Sequence, residues 1–93
     1  MARRFSTPTI LLTPAAMDVL VRAATAPLTL AEWHFAGEWG GQPDNAARNE
    51  EALQHGQGTV ISAFDVGGEA VWVVSHVDPG KDSYTTIMLP SEY

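Results

Sequence analysis

Cysteine is absent from the 93 residues. Disulfides, a thiol nucleophile and thiolate metal sites are thereby excluded, and the chain suits a reducing compartment. Basic residues are scarce, five against eleven acids for a net charge of −6, and the sequence pI is about 4.7. Arg3, Arg4 and Arg22 outnumber Asp18 at the start, whereas residues 28–56 set five acids against Arg48 and residues 57–93 set five against Lys81. Phosphate backbones repel such a chain, so direct nucleic-acid binding is not expected. No apolar run approaches the ~18 residues of a membrane span. Ile10-Leu11-Leu12 is too short for a signal core and meets Pro14, so the expected setting is cytoplasmic, without membrane contact. Repeats, low-complexity tracts and dividing linkers are missing too, which leaves a single domain with a small core.

What is present is concentrated between Thr59 and Leu89. Three runs rich in β-branched and aromatic residues are separated by Gly67-Gly68 and by Asp78-Pro79-Gly80, the pattern of a three-stranded antiparallel meander. A two-residue Gly-Gly hairpin pairs Val66 with Glu69, Phe64 with Val71 and Ser62 with Val73. A five-residue turn over 78–82 then sets Val73 beside Ile87. One face carries Val60, Phe64, Val66, Val71, Val73, Ile87 and Leu89; the other carries Ile61, Ala63, Trp72, Val74, His76, Tyr84, Thr86 and Met88. A sheet covered on one side alternates apolar and polar residues. Here both faces are apolar, so the Trp72 face needs either residues 5–12 folded back over it or a partner.

The preceding residues read as an extended arm over 1–12, able to add a short strand, and a helical part over 13–56. Thr13-Pro14 is an N-cap followed by proline, with Met17, Leu20, Val21 and Ala24 as the apolar stripe and an end near Thr25. Asp18 and Arg22 are spaced for an ion pair. Thr29-Leu30-Ala31-Glu32 has the capping-box pattern, with Leu30, Trp33 and His34 on one side and Gly37 as the stop. Asp44 or Asn45 starts a third helix that Gly56 ends. Asn49 lies four before Leu53 and faces inward, where the Trp39-Gly40-Gly41 backbone is the expected partner for its amide. The fold class is thus α+β, with two or three short helices on a three-stranded antiparallel meander.

The chemistry-bearing residues do not assemble a motif. His34, His55 and His76 have no ligand spacing, so no metal is expected. Glu50 and Glu51 are adjacent and diverge around a helix, which suits a solvated face better than a carboxylate pair. Ser62, Ser75, Thr85 and Thr86 lie in strands with no nucleophile elbow or nearby base. The glycines of the Trp39 loop lack the strand, helix and Gly-Lys of a phosphate site. No cofactor and no catalytic activity are expected. Trp33 and Trp39 either close a small core or, for Trp39, present an anchor to a partner.

Ala52-Leu53-Gln54-His55-Gly56, Ser62-Ala63-Phe64, Val71-Trp72-Val73-Val74 and Thr85-Thr86-Ile87-Met88-Leu89-Pro90-Ser91-Glu92-Tyr93, together with His34, Gly37, Trp39-Gly40 and Asn49, carry a resemblance. The chain resembles a family of small uncharacterised proteins of bacterial plasmids and integrated mobile elements, some of them labelled as related to type I restriction systems. The likeness runs from about residue 13 onward. Gly41 stands where an acid commonly follows Trp-Gly, and Phe64 where Tyr is common, so any role of that acid does not carry over. The resemblance implies no activity; it implies a mobile-element setting, in which small acidic proteins that block host defence complexes are common.

The expected function is accordingly a non-enzymatic protein-binding module, such as an inhibitor of a CRISPR or restriction complex. It would offer Glu38, Asp44, Glu50 and Glu51 and the apolar residues Trp39, Trp72, Ile61 and Met88 to a basic protein surface. The alternatives are a homodimer through the Trp72 face, or a toxin–antitoxin component or small enzyme in which Glu38, His34 and Asn49 converge.

Overall fold

In the computed structural model, residues 3–41, 43–79 and 83–93 are described. Strand β1 (Thr9–Leu12) leads into α1 (Pro14–Arg22), α2 (Pro27–Phe35) and α3 (Pro43–His55). The strands β2 (Gly58–Val66), β3 (Glu69–Val77) and β4 (Tyr84–Met88) follow, then a 3-10 turn over Pro90–Glu92.

The fold class is α+β, but the sheet is not the three-stranded antiparallel meander expected. It has four strands in the order β1-β4-β3-β2, with β1 parallel to β4. The hairpin register is as read from the sequence, with Phe64 opposite Val71 and Ser62 opposite Val73. Gly67 and Gly68 both take positive φ, at 59° and 88°, which only glycine adopts freely. Val73 pairs with Ile87, as expected. The rest of the 78–82 turn, from Gly80 on, lies outside the described residues.

Helices α1 and α2 cover the face that carries Val60, Val71, Val73 and Ile87. The core gathers Ala16, Val19, Leu20 and Leu30 against Val66, Val71, Val73 and Ile87. Thr13 caps α1 as expected, its Oγ accepting from the Ala16 N–H at 3.2 Å, and Asp18 pairs with Arg22 at 3.2 Å. The stripe of α1 is rotated from the expected one: Ala16, Val19 and Leu20 are buried, while Met17 and Val21 are exposed. Ala16, rather than Met17, therefore joins Val19 and Leu20 in the core. The helix ends at Arg22, before Thr25.

The capping box of α2 does not form. The helix starts at Pro27 behind Ala26, with no side-chain cap, and Glu32 pairs instead with Arg3 of the arm. Leu30 and His34 are buried, but Trp33 lies at the rim against Phe64. Helix α3 begins at Pro43, one residue ahead of the expected cap, and Gly56 ends it at φ 67°.

Candidate interaction surface

The Trp72 face is built from three rows that run across the sheet. Pairing places Thr9, Tyr84, His76 and Thr59 in one row, Leu11, Thr86, Val74 and Ile61 in the next, and Met88, Trp72 and Ala63 in the third. Side chains of directly paired residues point to the same side, so β1 extends this face outward through Leu11. Ile61 is 3% exposed and Val74 9%, beside the edge where α3 runs along β2, whereas Leu11 is 49% and Tyr84 43% exposed.

The N-terminal arm does not fold back over these rows. Residues 9–12 join the sheet at its edge, and Phe5 packs on His34 and Phe35 near α2. The cover comes from the other end. Tyr93 meets the Trp72 ring edge-on with centroids 5.5 Å apart. Glu92 anchors that turn by accepting from the Leu89 N–H at 2.9 Å and from the Thr13 hydroxyl at 2.7 Å, which hold its carboxyl below the usual range. Between the turn and the first row an open depression of about 300 Å³ remains, lined by Val74, His76, Tyr84, Thr86, Met88 and Tyr93. Of the apolar residues singled out for binding, Trp72 and Met88 are thus half-buried on this face and Ile61 is closed from solvent.

Trp39 sits elsewhere. Its ring packs against His34 at 5.9 Å and Phe5 at 6.5 Å, under the Arg4 guanidinium. Its loop is stitched to β2: Ala63 N–H donates to the Trp39 carbonyl at 3.0 Å, and Gly41 N–H to the Ala63 carbonyl at 3.2 Å. Glycine is required at position 40, where φ is 78° and a Cβ would fall 1.8 Å from the Ala63 oxygen. Asn49 is buried as expected, but its partner is β2 rather than the loop. Its Nδ2 donates to the Ile61 carbonyl at 2.7 Å, and its Oδ1 accepts from the Ile61 N–H at 2.9 Å.

Among the acids, Glu50 is held by Arg4, whose hydrogen bond keeps its carboxyl below the usual range. Glu38, Asp44 and Glu51 are exposed. Glu51 shares a shallow depression with Arg48, His55 and Thr59, and Thr59 belongs to the first row, so α3 brings an acid to the border of the open face.

One group of polar residues was missed in the sequence. Ser62, Ser75 and Thr85 lie on the helix-covered face, and a base is in fact near them. His34 Nδ1 is 2.6 Å from Ser62 Oγ and its Nε2 is 2.8 Å from Ser75 Oγ. Ser75 continues to Thr85 at 2.6 Å, and Thr85 to Thr7 at 2.7 Å. Ser62 donates its one proton to the Glu38 carbonyl at 2.8 Å, so it accepts from His34, and the ring carries its proton on Nδ1. Nε2 then accepts from Ser75, and the remaining hydroxyls each donate toward the ring. Thr7 Oγ also lies 3.1 Å from the Thr9 carbonyl, a competing acceptor for its proton. His34 is fully buried, and burial pushes its pKa down to about 3. His34, Ser62, Ser75 and Thr85 are fully buried and bonded to one another, Thr7 at the end of the chain is partly exposed, and Glu38 and Asn49 contribute to the network or to the fold through other contacts. The described residues include no group of three or more His, Asp or Glu placed to hold a metal ion, and no described helix is long and apolar enough to cross a membrane.

No protein-family model, curated protein or solved structure matches this chain.

Proposed function

We propose that this protein is a non-enzymatic protein-binding module that takes a partner on the open face of its sheet. One observation carries the reading: at the β1 and β4 side of this face Leu11 and Tyr84 are exposed, and Thr86 and Met88 line a depression that the C-terminal turn leaves open. Exposed apolar side chains gathered beside an open depression mark a contact surface. Glu51 borders this face beside Arg48, and the excess of acids, eleven against five basic residues, favours a partner with an apolar knob and a basic rim. Basic protein grooves that hold nucleic acid have that chemistry. The resemblance to mobile-element proteins supports the finer reading, that the partner belongs to a host CRISPR or restriction complex and is inhibited.

The test is plasmid establishment in a host that carries an active restriction or CRISPR system. The wild-type protein is expected to raise it, and Met88→Glu and Thr86→Arg, which put charges into the open rows, to abolish the effect. Zinc-free, nucleotide-free binding of the purified defence complex, lost in the same variants, is the direct readout. Protection that survives both variants moves the contact off this face. No protection against any such system removes the finer reading.

A further inference from the structure

Among the described residues, the outer edge of β1 has no backbone partner. Thr13 N–H bonds the Ile87 carbonyl at 3.1 Å, which fixes the alternation of the parallel ladder. Thr9, Leu11 and Thr13 turn their backbone groups to β4, and Ile10 and Leu12 turn theirs outward. Among the described residues, no side chain or loop reaches the N–H or C=O of Ile10 or Leu12. Ile10 is 38% exposed and Leu11 49%. From Phe5 to Met17 the chain carries no charge, so none of the usual edge-protecting charges is present.

We infer that this edge pairs with β1 of a second copy, antiparallel about a two-fold axis through Leu11. That register is self-complementary. Ile10 and Leu12 of one copy exchange hydrogen bonds with Leu12 and Ile10 of the other, so all four outward groups of each strand are satisfied at once. Leu11 meets its own copy in the close, non-hydrogen-bonded pair, on the open face. A second copy is the occupant that this register favours, because it brings an uncharged segment whose outward groups and flanking prolines match those of the first. Pro8 and Pro14 bound the pairing, and the far edge of the sheet is closed by Asn49 and the Trp39 loop. Association therefore stops at a dimer with one eight-stranded sheet. A four-residue strand covers only part of the ~800 Å² per partner typical of stable complexes, so the dimer is weak and is read at high concentration. The inference concerns an edge and shares Leu11 with the face of the binding reading; Ile10→Pro alters the edge and Met88→Glu the face, so the two can fail separately.

Sedimentation equilibrium over a wide concentration range tests it. The expected result is a monomer–dimer equilibrium that Ile10→Pro weakens by about thirtyfold, because two hydrogen bonds of the symmetric pair are lost. The N–H removed points away from β4, so the ladder within the monomer is kept. Leu11→Arg, which opposes like charges across the axis, abolishes the dimer. Amide exchange of the wild type, independent of any variant's folding, shows Ile10 and Leu12 gaining protection as concentration rises. A monomer at every concentration overturns the inference. So does a dimer that ignores Ile10→Pro and dissociates with Met88→Glu, which places the contact on the face.

Discussion

At the middle of β2, four outward backbone groups, those of Ile61 and Ala63, are met by Asn49 and by the Trp39-Gly41 loop. At β1, the four outward groups of Ile10 and Leu12 meet nothing among the described residues. Both are edge strands of one sheet, and both carry isoleucine at the edge. The difference is what precedes each in the chain. β2 follows α3, whose length lets one amide side chain imitate a neighbouring strand, while β1 precedes every helix and is flanked by prolines. Sealing an edge takes a side chain with a donor and an acceptor set side by side, or a loop that glycine allows to come close.

The sealed edge is where substitution costs most. Asn49→Leu leaves the Ile61 N–H and C=O without partners in a closed site, and a loss of about 3–5 kcal/mol is expected in urea denaturation. Gly40→Ala drives a Cβ into the Ala63 carbonyl and pushes the loop away; a loss of about 2–4 kcal/mol is expected. Because either change opens a second edge while β1 stays bare, both variants should also form open-ended aggregates that light scattering detects.

Acid acts between the two edges, on His34. Its pKa, near 3 when folded, lies below the ~6.5 of an unfolded histidine. The unfolded chain therefore takes up the proton first. The His34 contribution is full above pH 6.5, falls as pH drops below it, and levels off below about 3. The slope is at most ~1.4 kcal/mol per pH unit. His34→Gln should flatten the limb between pH 6.5 and 5, above the range where Glu32, Glu50 and Glu92 begin to matter, since all three are held below the usual carboxylate range. An unchanged limb would move the titration elsewhere.

The smallest effect is the sharpest comparison. Ile10→Pro removes an N–H that bonds nothing in the monomer and should change its stability by less than about 1 kcal/mol, whereas Ile61→Pro removes one that Asn49 holds and should cost several. Equal costs at the two positions would mean that the edges do not differ.

What was legible in the sequence was local or periodic. The Gly67-Gly68 turn fixed the hairpin register because a two-residue loop permits no slip. Thr13-Pro14 marked the start of α1 because both residues act within one turn. The fourth strand was legible only as an option, a short strand added by the arm; its place beside β4 was not, because Thr9–Leu12 pairs with residues more than seventy positions away and a four-residue run has no period of its own. Glu32 has a capping-box address, but Arg3, an ionic partner from the arm, took its carboxylate. The folded-back arm expected over the Trp72 face is absent; Tyr93 covers Trp72 instead, because Glu92 hooks the last turn to Thr13. The polar residues of the opposite face went unread because Ser62, Ser75 and Thr85 are ordinary strand residues until His34 arrives from α2.

That histidine has a geometric consequence. Greasy layers can slide over one another by a helical turn at little cost, since one methyl group resembles the next. An imidazole gripped at both nitrogens by hydroxyls from two different strands permits no such displacement without orphaning every member of the chain behind it. The clasp sets the position of α2 on the sheet, and with it the site where the following loop reaches Ala63.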